Sequence, residues 1–216
     1  MWSSCNGSPR GNRDRGLMEV SVLYQSRRMI LRGNDLRRRV FEYAIKLNFD
    51  LINEDVLATA VPIHTWTWSV RHDVQLGYAE DLLANEAYLR VVAASPNACF
   101  DFSTLVVGYF QPWDTGELLS AAQEAEPGPE LADAVLRAGV GAPAVFDPDF
   151  FRVIADAIQH PDVKVRRAGV VASSYMLWPE FVESLSAAAS DKEPDEGVRV
   201  DAHNIRDLLL KGTGTA

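Results

Sequence analysis

The sequence predicts an all-α fold, a right-handed αα-superhelix of about five helix pairs. Three observations carry that prediction. Asn53-Glu54-Asp55-Val56-Leu57 returns 32 positions later as Asn85-Glu86-Ala87-Tyr88-Leu89, and Glu117 to Ala122 returns 66 positions later as Glu183 to Ala188. Val70-Arg71, Val165-Arg166 and Val198-Arg199 are spaced by 95 and then 33. Pro- and Gly-containing turns cut the chain into helix-length pieces. A unit of about 31 to 34 residues marks a solenoid, where each unit buries its apolar face only against the next.

The elements follow in order. Residues 1–17 are polar and rich in Gly and Arg, without periodicity, and read as a disordered basic tail. Asn34-Asp35 is a plausible cap for a helix carrying Leu36, Val40, Phe41, Ala44 and Leu47. Asn53 then caps a helix over 54–61, which Pro62 stops. Trp66, Trp68 and Val70 alternate, which taken alone argues for a strand. Val70-Arg71 lies in register with Val165-Arg166, so 65–69 is read as a turn entering a helix. The alternative is a small N-terminal αβ portion. Further helices are expected at 70–83, 85–95, 99–111, 114–125, 129–139, 147–159, 163–177, 179–190 and 195–210. The helical repeat domain spans 18–211, and 212–216 is a frayed tail.

The C-terminal third is the clearest. Asp147 caps a helix with Pro148 in its first turn, and Phe150, Ile154, Ala157 and Ile158 share one face. Pro179, Phe181 and Leu185 repeat Pro148, Phe150 and Ile154 at a separation of 31. Pro194-Asp195 and Val198-Arg199 repeat Pro161-Asp162 and Val165-Arg166 at 33. With these prolines, turns and Val-Arg pairs, the segment resembles a HEAT repeat. The resemblance implies a HEAT-like αα-solenoid with a binding habit rather than a reaction.

Composition bounds the function. Hydrophobic residues are 47% and charged residues 24% of 216, enough apolar material for a core. No run is long enough for a membrane-spanning helix, and no apolar leader opens the chain. Cys5 and Cys99 lie too far apart in kind and place to suggest a disulfide framework, so a cytoplasmic location is expected. Residues 1–40 hold nine Arg against Asp14, Glu19 and Asp35, for +6. The remaining 176 residues carry 12 basic and 27 acidic side chains, for -15. Such a body repels phosphate backbones. Nucleic acid is therefore not expected as a partner except through the basic N-terminal arm.

The four histidines have no metal-ligand spacing, and no phosphate-loop, zinc-protease or nucleophile-elbow motif occurs. No metal and no cofactor is expected, and no catalytic residue is assigned. Asp162 with Arg166, and Asp195 with Arg199, are read as structural pairs at the repeat turns. Trp113 and Trp178 are read as packing residues between helices. The candidate ligand-binding residues are Arg71, Tyr78, Asp101, Tyr109, Tyr175, His203 and Arg206 on the second helices, with Trp66 and Trp68 beside them. The expected function is a scaffold that engages a protein or peptide partner of basic character. The alternative that the resemblance implies is a HEAT-like DNA glycosylase, acting on alkylated bases in a concave cationic groove.

Overall fold

The computed structural model describes residues 23–57 and 63–213. The expected tail 1–17, the end of the expected 54–61 helix, its stop at Pro62 and the last three residues lie outside that range. Among the described residues, six strands and eight α-helices follow one another. β1 (Tyr24–Gln25), β2 (Met29–Ile30), α1 (Leu36–Lys46), β3 (Asp50–Leu57), β4 (Ile63–Arg71), β5 (Val74–Asp81) and β6 (Glu86–Ala93) come first. α2 (Pro96–Phe110), α3 (Thr115–Glu124), α4 (Pro129–Gly141), α5 (Pro148–Ile158), α6 (Val163–Ser173), α7 (Val182–Ala188) and α8 (Glu196–Thr213) complete it.

The all-α superhelix is overturned, and with it the HEAT-like reading of the whole chain. Strands β3 to β6 form an antiparallel meander, and β1 and β2 both pair with the free side of β6. The helices expected over 54–61, 70–83 and 85–95 fall instead on β3, on the β4–β5 hairpin and on β6. The reason lies in the residues. Trp66 and Trp68, then Val74, Leu76 and Tyr78, then Ala87, Leu89, Val91 and Ala93 alternate with more exposed neighbours, and each of these is buried. A period of two places them all on one face of a pleated sheet, whereas on a helix they would spread around the axis. The 32-residue recurrence therefore relates one strand to another. It carries no helical information.

That apolar sheet face is covered by α1 and α2. Val40, Tyr43 and Ala44 from α1 and Ala98, Cys99, Phe102, Val106 and Phe110 from α2 close the first core. Phe41 presents its edge to Trp66 and Trp68 at 5.9 and 5.1 Å between ring centres. The span 99–111, rich in β-formers, is helical as expected. Ser95 accepts from the Ala98 N–H, and Pro96 opens the helix.

Helices α3 to α8 build a second core in two layers. α4, α6 and α8 pack successively against one another, while α3, α5 and α7 form the outer row. Close approach is set by glycine. A Cβ at Gly139 of α4 would stand 2.6 Å from Ala172 Cβ, and one at Gly169 of α6 would stand 2.6 Å from the Ile158 nitrogen. Asp147 caps α5 by accepting from the Asp149 and Phe150 N–H groups, and Asp162 caps α6 through the Lys164 N–H. Leu76 in the sheet core, and Ile154 and Leu185 in the helical core, are fully buried. Replacing each by Ala is expected to cost about 2–5 kcal/mol, read from urea unfolding. Unchanged midpoints would mean that the two cores are not packed as described.

Candidate functional site

Where the sheet meets the helical stack, the chain leaves β2 and turns through Leu31 to Asp35. Gly33 (φ 92) and Asp35 (φ 54) lie in the left-handed region that makes this turn tight. α1 then opens with Leu36-Arg37-Arg38-Arg39 and has no acidic residue in its first turn. Three cations at the positive end of a helix dipole are unfavourable unless anions are brought to them. The fold brings them. Arg37 pairs with Glu80 of β5, and Arg38 with Glu42 at 2.7 Å. Arg39 donates to the Arg32 carbonyl at 2.8 Å.

This turn, the end of β5, the start of β6 and Trp113 enclose a cleft of about 780 Å³. Tyr78 and Glu80 form part of its wall, and the Tyr78 hydroxyl donates to Glu80 at 2.8 Å. Two guanidinium groups lie over the Trp113 ring, Arg32 at 4.4 Å and Arg137 at 5.0 Å from the ring centre. Arg32 also pairs with Glu117, and Arg137 donates to Glu86 at 2.6 Å. Beyond Trp113 and Arg137 lies a second depression of about 450 Å³, lined by Glu124, Glu130 and Asp133. The two depressions adjoin at Trp113 and Arg137 and are described together as the groove. Its first half balances Arg32, Arg37, Arg38 and Arg137 against Asp35, Glu80, Asp81 and Glu86. Its second half is acidic.

The protonation of the walls follows from burial and partners. The hydrogen bond from Arg37 holds the Glu80 carboxyl below its ordinary value. Burial raises the Glu86 carboxyl, and Arg137 only partly offsets it. Burial and the bond to Glu80 push the Tyr78 phenol far up, so it acts as a donor. Among the described residues, no group of three His, Cys, Asp or Glu side chains is placed to hold a metal ion. No described helix is long and apolar enough to cross a membrane.

The predicted ligand-binding residues do not converge as the superhelix would have them. Tyr78 lines the groove, and Trp66 lies behind it, stacked on Tyr78 at 5.6 Å with Arg37 4.7 Å above its ring. Trp68 is buried under Phe41. Tyr175, after α6, reaches the same junction by donating to Asp81 at 2.7 Å. Arg71 sits at the other end of β4. It pairs with Asp73 at 2.7 Å. Asp101 and Tyr109 are on the outer side of α2, and Tyr109 packs on Tyr43. His203 and Arg206 share Asp207 on α8.

The pairs expected at the repeat turns also differ. Arg166 does not pair with Asp162. It grips Glu193 with two bonds of 2.9 and 2.8 Å and donates to the His160 and Pro161 carbonyls. Arg199 donates to the Glu193 carbonyl, and Asp195 caps α8 through the Val198 N–H at 2.9 Å. Trp178 is buried and donates to the Ala144 carbonyl, while Trp113 lines the groove, so the two do not share one job. The groove residues that sequence reasoning passed over are Trp113, Arg32, Arg37, Arg137, Glu80 and Glu86. One local signal pointed there: a Gly-Asn-Asp turn followed by three Arg where a helix favours acids.

Two outcomes are expected. Arg166→Ala or Glu193→Ala should cost about 3–5 kcal/mol in denaturant unfolding, because each strands a buried charge. Glu80 has a lowered folded-state value, so its contribution is complete above its ordinary value near 4.5 and is lost as pH falls through the lowered one. Stability measured from pH 7 down to pH 3 should therefore fall less steeply in Glu80→Gln than in the parent chain; equal slopes would contradict the Arg37 pairing.

No family model matches this chain, and neither a curated protein nor a solved structure matches it.

Proposed function

We propose that this chain is a binding protein that takes a basic peptide segment of another protein in the groove at the sheet–helix junction. One observation carries the reading: a cleft of balanced charge and a depression lined by Glu124, Glu130 and Asp133 adjoin at Trp113 and Arg137. An aromatic ring offers contact area at low cost in side-chain entropy. Exposed Glu130 and Asp133 give an entering Lys or Arg its counter-charge.

The same geometry weighs against a nucleic-acid partner. Of the nine Arg in residues 1–40, six lie between Arg27 and Arg39, and all six hold groups of the chain itself. Arg27 donates to the Trp113 carbonyl at 2.7 Å and Arg28 to the Tyr175 carbonyl at 3.1 Å. The others take the partners described above. Phosphate contacts need free cations, and this stretch leaves few. The glycosylase alternative also rested on a superhelix that the sheet replaces.

Binding is tested on the full chain, because removing residues 1–40 would delete β1, β2 and part of α1, with buried Met29, Ile30, Leu31 and Val40. Titration calorimetry with Lys/Arg-rich peptides should give binding that weakens with salt, and acidic counterparts should give none. Glu130→Lys combined with Asp133→Lys should weaken that binding about ten-fold or more without lowering the melting temperature. Equal affinity for acidic and basic peptides, or tighter salt-dependent binding of duplex DNA, would sink the proposal.

A further inference from the structure

The sheet ends at β3. Among the described residues β3 has β4 as its one neighbouring strand, so its other edge is open. All eight residues, Asp50 to Leu57, are exposed. Four of them are large and apolar: Leu51 is 49% exposed, Ile52 51%, Val56 50% and Leu57 45%. An open edge of this kind is a template for another strand. The register with β4 slips between Leu51 and Asn53, so a bulge at Ile52 spoils one end. From Asn53 to Leu57 the pairing is regular. Main-chain groups along a strand alternate between its two edges. The Asp55 carbonyl faces β4, where it accepts from the Thr65 hydroxyl at 3.4 Å. Glu54 and Val56 therefore turn theirs to the open edge. There the Val56 N–H is met by the carboxylate of its own neighbour, Asp55, at 2.7 Å. An incoming carbonyl would take that N–H and release the carboxylate.

The edge is also acidic. Asp50, Glu54 and Asp55 carry three negative charges on eight residues, and the strand has no cation. None of the three enters an ion pair among the described residues. Arg37, whose charge reaches Glu54, is held by Glu80. This charge selects what can pair there. Two copies of the chain in the fullest antiparallel overlap of 53–57 would set Asp55 against its own image, and like charges directly opposite destabilise a sheet. A strand with Lys or Arg opposite Glu54 and Asp55 is favoured instead.

We propose that β3 accepts an extended basic segment of another protein as a further strand of the sheet. Main-chain hydrogen bonds at Glu54 and Val56 supply affinity, and the side chains supply the choice. Glu54 and Asp55 are neighbours on opposite faces, so the incoming strand bears two adjacent basic residues, one on each face. Its residues opposite Val56 and Leu57 are apolar. An antiparallel segment thus reads apolar-apolar-basic-basic, and a parallel one basic-basic-apolar-apolar. This surface is separate from the groove, because none of residues 50–57 lines either depression.

Amide hydrogen exchange of the full chain, followed by NMR with a ten-residue peptide centred on Val-Ile-Lys-Arg or Lys-Arg-Val-Ile, tests the proposal. One of the two peptides should slow exchange at 53–57, and salt should weaken the effect. Methylating that peptide's amides at alternate residues should abolish the effect in one phase of the alternation and spare it in the other, since only one edge of a strand pairs. Glu54→Lys combined with Asp55→Lys should raise the peptide concentration needed at least ten-fold, with an unchanged melting temperature. The groove variant Glu130→Lys with Asp133→Lys should keep the slowed exchange at 53–57, which separates this site from the groove. Unchanged exchange at 53–57 with either peptide up to about 1 mM, or an effect indifferent to the Glu54 and Asp55 reversal or to methylation in both phases, would overturn the proposal.

Discussion

The carboxylate of Asp81 is 1% exposed and stands where the sheet, the β5–β6 turn and the helical stack meet. A buried carboxylate persists only when its oxygens find donors. One oxygen accepts from the Leu83 and Ala84 N–H groups, which fixes the turn into β6. The other accepts from the Tyr175 hydroxyl at the end of α6. One side chain thus sets both the hairpin and the seating of the helical layers on it. The groove depends on that seating, since its walls come from β5, β6, α1 and α4.

Around this point the chain uses arginine as a crosslink between elements distant in sequence. Arg27 and Arg28 tie the β1–β2 connection to Trp113 and Tyr175. The Arg28 guanidinium also lies over the Tyr88 and Tyr175 rings. Arg32 and Arg137 both pack over the Trp113 ring. A guanidinium suits this work because it gives several in-plane donors and two faces for aromatic contact. The positive excess of the N-terminal stretch is therefore largely an internal device of the fold. The acidic excess remains on the outside, and part of it lines the groove.

The groove combines paired charges with an aromatic ring, and its selectivity comes from where counter-charge is missing. It takes up the end of the sheet face that Trp66, Trp68 and Leu76 fill elsewhere, since Tyr78 lies on that face and lines the groove.

The sequence by itself determined the helices from α3 onward. Asp114, Asp147 and Asp162 cap them, prolines open them, and apolar spacing marks the buried sides of α5 and α7; these are local signals that act within a turn or two. One strand was also legible, in the alternation of Trp66, Trp68 and Val70. The recurring spacing argues against that signal, but a spacing recurs without reporting element type. Tertiary structure alone decided the groove. Arg32 meets Glu117, 85 positions away, and Arg137 meets Glu86, 51 positions away. Such pairs depend on how the helical layers seat on the sheet, and no local pattern encodes that. The same reason explains why Trp113 and Trp178, equivalent by spacing, differ in use: one is walled by apolar residues, the other by guanidinium groups that other elements deliver.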